Sequence, residues 1–263
     1  FNQNKKSNRT IAISQDNYEF LRRLNIFKFS KKDFWPCTKM ELYTSTKNKK
    51  FTKIFQVDRE KKEKKNILYM MKSSKIISSL IKYIKKNKLV SIKSEKIQKI
   101  YSEGFLKSIK FNNKKNSKYN LIILCTGSNS MLVKNYFNDQ ALGNSYNETS
   151  ITTILKHNFF HNNSVRQIFF NDEILALLPI SNTQTSIVLS TKKNIANKYK
   201  TSNLLFKKKI KFYTKYFIKK INFNVDIEFK DLNFLLRKKF YRNRVLLFGD
   251  ALHEVHPLAG QGF

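Results

Sequence analysis

The carboxyl-terminal segment of the chain, residues 245–263 (VLLFGDALHEVHPLAGQGF), constrains the fold more than any other stretch. The whole chain contains only six glycines and three prolines, and this segment holds three of those glycines and one of the prolines. A short apolar run ends at Phe248, and Gly249 follows it directly. Glycine permits a backbone conformation or a close approach that a side chain would block. We therefore predict a short buried strand that ends in a tight turn.

The residues after this strand indicate a ligand site. Asp250 would lie at the carboxyl end of the strand, which is the edge where open α/β sheets bind ligands. Because an ionised carboxylate only accepts hydrogen bonds, it suits the paired hydroxyls of a sugar or sugar alcohol. Pro257 would rigidify the next turn. Gly260 and Gly262 flank Gln261, so bare backbone N–H groups can face an anion or an electron-rich ring. The pattern predicts a phosphate-bearing cofactor.

Helical periodicity appears in three places along the chain. Apolar residues recur at helical spacing over 17–27, 73–85 and 204–221. Ser14 or Asp16 is the expected N-cap of the first helix. The second helix is expected to be capped by one of two serines, Ser73 or Ser74.

Strand patterns fill most of the remaining chain. Two strands are predicted within 38–57, around a turn at 47–50. Alternating apolar residues over 150–190 predict an antiparallel sheet. Residues 121–125 are a continuous apolar run, which is typical of a strand buried on both faces in a parallel or mixed sheet. Further short strands are predicted at 89–93, 96–102, 105–111, 119–125 and 244–248.

The chain is strongly basic, with 52 Lys and Arg against 18 Asp and Glu and a formal net charge of +34. Such a balance suggests nucleic acid or an anionic membrane as a partner. However, the excess is mostly lysine, runs through every segment and accompanies abundant Asn, Ile, Phe and Tyr, which AT-rich codons specify. Recognition modules concentrate their basic residues on one face. We therefore favour codon usage as the cause and expect no nucleic-acid partner.

Cysteine usage and hydropathy bear on the compartment. The two cysteines, Cys37 and Cys125, are 88 positions apart and form no CxxC motif, which favours a reduced cytoplasmic setting. No apolar run approaches the ~18 residues that a membrane-spanning helix needs, and no signal peptide is visible. The chain begins at Phe1 rather than Met and stops directly after a Gly-rich turn, so we expect it to be a fragment.

Residues 249–262 read Gly-Asp-Ala-x-His-x-x-His-Pro-x-x-Gly-Gln-Gly. This pattern resembles the second flavin-binding motif of the class A FAD-dependent aromatic monooxygenases, specifically the ubiquinone-biosynthesis hydroxylases. Other stretches resemble the family in the same order. NRTIAIS (8–14) is similar to the segment in which an Arg, here Arg9, lies near the flavin. YNLIILCTGSNS (119–130) resembles the strand and turn of a further flavin motif, and 150–190 resembles part of the substrate domain.

The resemblance implies an α/β fold in which a discontinuous, three-layer FAD-binding domain carries an inserted substrate domain with an antiparallel sheet. We expect the partial FAD-binding domain to comprise 1–36, 66–138 and 239–263. The substrate domain would then comprise 37–65 and 139–238.

The resemblance also implies the activity. FAD would be reduced by NAD(P)H and would react with dioxygen to hydroxylate an aromatic ring of a polyprenylated quinone precursor, and this chemistry requires no acid–base residue from the protein. His253 and His256 are too few ligands for a metal site. The basic helix at 204–221 would suit peripheral contact with the inner membrane, and other quinone-biosynthesis proteins are expected partners. The expected cofactor-binding residues are Arg9, Gly127, Gly249, Asp250, Pro257, Gly260, Gln261 and Gly262.

The chain also departs from the family pattern. None of its glycines has the GxGxxG spacing that holds the ADP part of FAD. Thr126 replaces the Asp of an Asp-Gly pair, and Lys134 stands near the position of the family's Arg. Two alternatives therefore stay open: another FAD-dependent oxidoreductase of the same fold, or a non-catalytic or decayed binding protein.

Overall fold

A computed structural model describes residues 9–24, 33–45, 51–59, 65–137, 141–223 and 226–256. The described chain forms two compact units. The smaller unit comprises Ser91–Tyr146 and Leu232–His256, and the larger unit comprises the described residues up to Val90 and those of Asn147–Asp231. Both units combine helices with sheets, so the predicted α/β class is confirmed.

The described helices are α1 (Gln15–Arg23), α2 (Ser73–Lys86), α3 (Met131–Phe137), α4 (Lys193–Thr201) and α5 (Asn203–Thr214). The strands are β1 (Thr10–Ser14), β2 (Trp35–Cys37), β3 (Lys39–Ser45), β4 (Phe51–Asp58), β5 (Leu68–Lys72), β6 (Ile97–Glu103), β7 (Leu106–Phe111), β8 (Asn116–Tyr119), β9 (Ile122–Leu124), β10 (Ala141–Lys156), β11 (Ser164–Phe169), β12 (Glu173–Ser181), β13 (Gln184–Lys192), β14 (Asn222–Phe223), β15 (Glu228–Arg237), β16 (Tyr241–Arg242), β17 (Val245–Leu247) and β18 (His253–Glu254). No described helix is both long and apolar enough to cross a membrane.

The larger unit is built on a sheet with the strand order β10, β13, β12, β11, β3, β4. The pairs among β10, β13, β12 and β11 are antiparallel, which confirms the antiparallel sheet predicted over 150–190. β3 joins β11 in parallel and pairs with β4 in antiparallel fashion. A second sheet has the order β1, β5, β2.

Helices α4 and α5 and the strands of the larger unit contribute side chains to one hydrophobic core. Successive residues of β12 alternate between buried and half-buried, as expected when one face of a strand is turned to the core. Fully buried members of this core include Ile151, Leu155, Ile168, Leu175, Ile187, Leu189, Phe206 and Ile210.

A buried carboxylate reinforces this packing. Glu173 at the start of β12 accepts a hydrogen bond from Tyr199 Oη of α4 at 2.9 Å and another from Tyr213 Oη of α5. Lys209 Nζ lies 3.4 Å from Glu173 Oε2. Burial and the neighbouring negative charge of Glu173 raise the pKa of both tyrosines, which further favours their protonated, hydrogen-bond-donating form. Glu173 therefore joins both helices to the sheet.

The smaller unit contains two three-stranded sheets. One is the antiparallel meander β6, β7, β8. The other has the order β16, β17, β9, in which β17 is parallel to β9. Side chains of both sheets pack with Val133 and Phe137 of α3 in one core, which includes Ile109, Ile122, Leu124, Val245 and Leu247.

The helix predictions are correct in position but not at every helix end. Ser14 caps α1, because its hydroxyl accepts from Asn17 N at 3.2 Å. The predicted capping of α2 by Ser73 or Ser74 is wrong. Strand β5 runs directly into this helix, the N-cap is Lys72, and its side chain makes no capping bond. Helix α5 ends at Thr214, short of the predicted end at 221, and residues 25–27 of the first predicted helix lie outside the described part of the chain.

Two strand predictions need correction. Residues 89–93 are irregular rather than extended in a sheet. Residues 121–125 are not buried on both faces in the described chain. Strand β9 covers only three of them, and Leu121 and Ile123 are 51% and 53% exposed while Ile122 and Leu124 are buried. The parallel pairing that this apolar run predicted is confirmed by its partner β17.

Candidate functional site

Two neighbouring parallel strands end side by side in the smaller unit, and each leads into a glycine-containing turn. Leu124 at the end of β9 pairs with Leu247 at the end of β17. Phe248 N donates a hydrogen bond to Leu124 O at 3.1 Å, which extends the pairing to the start of the second turn. The carboxyl ends of parallel strands lie at the same sheet edge, so the predicted residues Gly127, Gly249 and Asp250 lie at one edge.

Both glycines adopt a left-handed backbone conformation. The φ angle is 83° at Gly127 and 62° at Gly249. A Cβ atom built at either position would meet no other atom within 4 Å. Backbone conformation, rather than crowding, therefore explains glycine at both turns, and the space beside each backbone is open.

Asp250 lies in a single 3-10 turn formed by Gly249–Ala251. The turn is closed by a hydrogen bond of 2.8 Å from Leu252 N to Gly249 O. Asp250 is exposed, whereas its neighbour Ala251 is fully buried and anchors the turn in the core of the smaller unit. The arrangement presents an exposed carboxylate at the sheet edge where two turns meet.

A buried arginine joins the two turns. Arg237, the last residue of β15, is only 4% exposed. Its Nε donates to Ala251 O at 2.9 Å and its Nη2 donates to Ser128 O at 3.3 Å. The backbone N of the same residue donates to Leu252 O at 3.1 Å. One rigid guanidinium fork therefore fixes the turn after β9 relative to the turn after β17.

Sequence reasoning did not find Arg237. The residue is followed by Lys238 and Lys239, both exposed, so the local sequence resembles a solvated basic run. The strand pattern offers no signal either, because residues five positions apart in a regular strand point to opposite faces. Leu232 and Arg237 are the two buried positions of β15, and they lie at its middle and its end.

The two histidines of the terminal motif take part in local packing. His253 lies in β18, opposite Leu236 of β15. The His256 ring packs edge-on against Tyr146 with 5.2 Å between ring centroids. Among the residues that the structure describes, no group of three or more His, Cys, Asp or Glu side chains could hold a metal ion.

The remaining predicted site residues lie in the larger unit or outside the described residues. Arg9 belongs to the larger unit, where its Nε lies 3.6 Å from Glu228 Oε2 and its carbonyl accepts from Ser73 N at 3.0 Å. Four further residues lie outside the described part of the chain: Pro257, Gly260, Gln261 and Gly262.

The larger unit contains a separate cavity of about 380 Å³. Aromatic side chains form much of its wall, including Phe170 and Tyr213, which stack with 3.8 Å between centroids. Its buried carboxylate, Glu173, is already engaged by two tyrosines and a lysine. The cavity therefore offers a ligand aromatic contact, and Ser45, Asn171 and Asp172 add polar groups to its wall.

Comparison with known proteins places this geometry in a flavoenzyme fold. No protein-family model matches the chain, and no curated protein matches it. Among solved structures, PqsL from Pseudomonas aeruginosa, a probable FAD-dependent monooxygenase, is similar with a TM-score of 0.77 and 11% identity over 99% of this chain and 73% of that one. HpxO from Klebsiella pneumoniae, solved with FAD and uric acid, has a TM-score of 0.71 and 13% identity over 98% of this chain and 67% of that one.

A flavin-dependent halogenase, CmlS, is also similar, with a TM-score of 0.67 and 11% identity over 93% of this chain and 45% of that one. Identities this low establish the fold alone. The chain therefore has the fold of FAD-dependent monooxygenases and halogenases, and this part of the sequence-based prediction is confirmed.

Proposed function

We propose that the protein is an FAD-dependent monooxygenase that hydroxylates an aromatic ring of a polyprenylated quinone precursor, with NAD(P)H as reductant. One observation carries the proposal. Two left-handed glycine turns and the exposed carboxylate of Asp250 meet at the carboxyl edge of two parallel strands, and the second turn opens the segment that resembles a flavin-binding motif. The flavoenzyme fold of the whole chain supports the same conclusion.

The residues at this edge fit FAD chemically. Asp250 can accept hydrogen bonds from ribitol hydroxyls, because an ionised carboxylate is an acceptor only. Gly127 and Gly249 leave open space where the backbone can approach the cofactor. Arg237 keeps the two turns in register. The later residues of the motif are predicted to face the flavin ring with their backbone; these are Pro257, Gly260, Gln261 and Gly262.

When bound, FAD supplies the redox chemistry and the activation of dioxygen. The protein contributes binding, orientation and exclusion of water, so we nominate no acid–base residue. We propose that 1–36, 66–138 and 239–263 form the flavin-binding part of the protein, and that 37–65 and 139–238 form the part that presents the aromatic substrate.

The substrate class rests on the sequence resemblance together with the ligands of similar folds. PqsL has been solved with 2-aminobenzoylacetate and HpxO with uric acid, and both ligands contain a planar ring. The polyprenyl chain and the quinone-biosynthesis partners rest on the further matches of 8–14, 119–130 and 150–190 to the ubiquinone-pathway family. Such a lipid-soluble substrate favours a cytoplasmic protein that works at the inner membrane surface.

One observation favours a second candidate. Thr126 stands beside Gly127 where the family carries a carboxylate, so this turn presents one negative charge fewer to a cofactor. A binding protein without catalysis, or one that has decayed, would tolerate that loss. A different FAD-dependent oxidoreductase of this fold would tolerate it as well.

The protein expressed from its complete reading frame tests these alternatives. We expect oxidation of NAD(P)H to depend on an added prenylated phenol and the product to contain one oxygen atom from isotope-labelled dioxygen. The variant Asp250→Ala should lose this activity. Glu95→Ala, which removes an exposed carboxylate of the same unit, should retain it. Tight FAD binding without any oxygen incorporation would favour the second candidate.

A further inference from the structure

Acidic residues are absent from one long stretch of the larger unit. Residues 174–225 contain eleven lysines and no Asp, Glu or Arg. This stretch is about a fifth of the chain but carries +11 of the net charge of +34. What distinguishes this stretch is that no acidic residue within it offsets its lysines.

Helix α5 sorts this stretch into two faces. Phe206, Ile210 and Tyr213 are buried and lie on one side of the helix. Lys208 and Lys211 are exposed, and Lys215, at the C-cap, is exposed as well. Their spacing of three and four residues places the three lysines on one helical stripe, opposite the buried side.

The same outward face carries exposed apolar side chains. Leu204 is 64% exposed, Leu205 is 45% exposed and Tyr216 is 61% exposed. Lys215 Nζ lies 4.6 Å from the centroid of Phe212 and 4.9 Å from that of Tyr216, so charge and aromatic surface are interleaved. A helix that faces only water normally presents polar residues there.

We infer that this basic–apolar face docks on the surface of an anionic lipid bilayer; the face consists of Leu204, Leu205, Lys208, Lys211, Lys215 and Tyr216. Lysines near an anionic leaflet bind by charge, and leucine and tyrosine side chains enter the boundary between headgroups and acyl chains. Nucleic acid fits the face less well, because aliphatic side chains gain little from phosphates and the stretch has no arginine for base contacts.

The biological purpose of this docking rests on the proposed function, since a polyprenylated substrate resides in the bilayer. The structural evidence for docking is independent of that proposed function, because all the residues concerned lie in the larger unit. Binding to lipid and binding of FAD can therefore be measured separately.

The test is flotation of the complete protein with vesicles of phosphatidylcholine alone or of phosphatidylcholine with phosphatidylglycerol. We expect binding only to the anionic vesicles, and we expect salt to weaken it. The triple variant Lys208→Glu/Lys211→Glu/Lys215→Glu should bind on the order of 100-fold more weakly, since each lysine near the surface contributes about fivefold.

A matched control is available on another exposed basic helix of the same unit. The triple variant Lys82→Glu/Lys85→Glu/Lys86→Glu on α2 makes the same change in charge and should retain most of the binding. Equal losses in both triple variants would overturn the inference, because they would show that the face on α5 contributes no more to binding than another basic helix.

The double variant Leu204→Ser/Leu205→Ser tests the apolar part of the face. It should weaken vesicle binding severalfold. The inference would be overturned in favour of a nucleic-acid surface if the serine variant bound vesicles as well as the wild type does and the wild type bound duplex DNA equally tightly. A wild-type protein that binds FAD but not anionic vesicles would also overturn it and leave the proposed function intact. A wild-type protein that binds anionic vesicles but not FAD would refute only the proposed function.

Discussion

The buried guanidinium of Arg237 yields the sharpest prediction about the candidate site. We consider the substitution Arg237→Met, which keeps much of the apolar stem and removes the donors. The side chain is 4% exposed and donates to the carbonyls of Ala251 and Ser128. The substitution would leave both carbonyls without these donors.

The magnitude follows from these two bonds. Hydrogen bonds that involve a charged group contribute about 1.5–3 kcal/mol each. Part of that sum is offset, since the variant no longer buries a charge. We expect the free energy of unfolding to fall by about 2–4 kcal/mol, which corresponds to a decrease in Tm of roughly 5–15 °C for a chain of this size.

Urea unfolding and FAD titration by fluorescence measure the two consequences. Arg242→Met is the matched control, because Arg242 is exposed and its Nη1 bond to Tyr136 O, at 3.1 Å, lies at the surface. The control should change stability by no more than about 0.5 kcal/mol. Arg237→Met should also weaken FAD binding at least tenfold, and Arg237→Lys should restore it only in part, since lysine lacks the two-pronged donor. Equal unfolding free energies for the two Met variants would refute the reasoning.

Three further predictions concern single residues. Gly249→Ala should cost about 1–2 kcal/mol in urea unfolding through backbone strain alone, because φ is 62° and a Cβ would meet no atom; no measurable loss would contradict this. Burial opposes ionisation of Glu41, but the hydrogen bond from Lys53 and the positive charges of Arg166, Lys53 and Lys39 together lower its pKa. Its contribution to stability is therefore present above about pH 4.3 and is lost as pH falls through the lowered pKa. Glu41→Gln should therefore flatten the acid dependence of the urea midpoint, and an unchanged slope would count against the ion pair. Burial raises the pKa of the Cys37 thiol to about 12, whereas Cys125 is exposed, so a thiol reagent should modify Cys125 quickly and Cys37 only after unfolding, as peptide mass spectrometry would show.

Much of the candidate site could be predicted from local sequence. The apolar run before Gly249 predicted a short strand, and the run at 121–125 predicted a parallel partner; β17 and β9 form that pair. Parallel pairing then brings Gly127 and Gly249 to one edge without further assumptions. These predictions succeeded because strand periodicity and glycine conformation are properties of a few adjacent residues.

Features that depend on distant contacts could not be predicted in this way. Arg237 is separated by more than 100 positions from Ser128, one of its carbonyl partners, and nothing in the neighbouring residues marks it as buried. Glu173 likewise gains its role from tyrosines on two later helices. The prediction that 121–125 would be buried on both faces was wrong for the same reason. Which faces of a three-residue strand are covered depends on parts of the chain that are distant in sequence.

The visible absorption spectrum of the protein expressed from its complete reading frame, titrated with FAD, tests the central claim most directly. We predict a perturbed flavin absorption band in the visible region for the wild-type protein and for Glu95→Ala. Asp250→Ala should require at least tenfold more FAD to reach the same change, because it removes the acceptor for the ribitol hydroxyls. A spectrum identical to that of free FAD for the folded wild-type protein would contradict the assignment of this sheet edge as a flavin site.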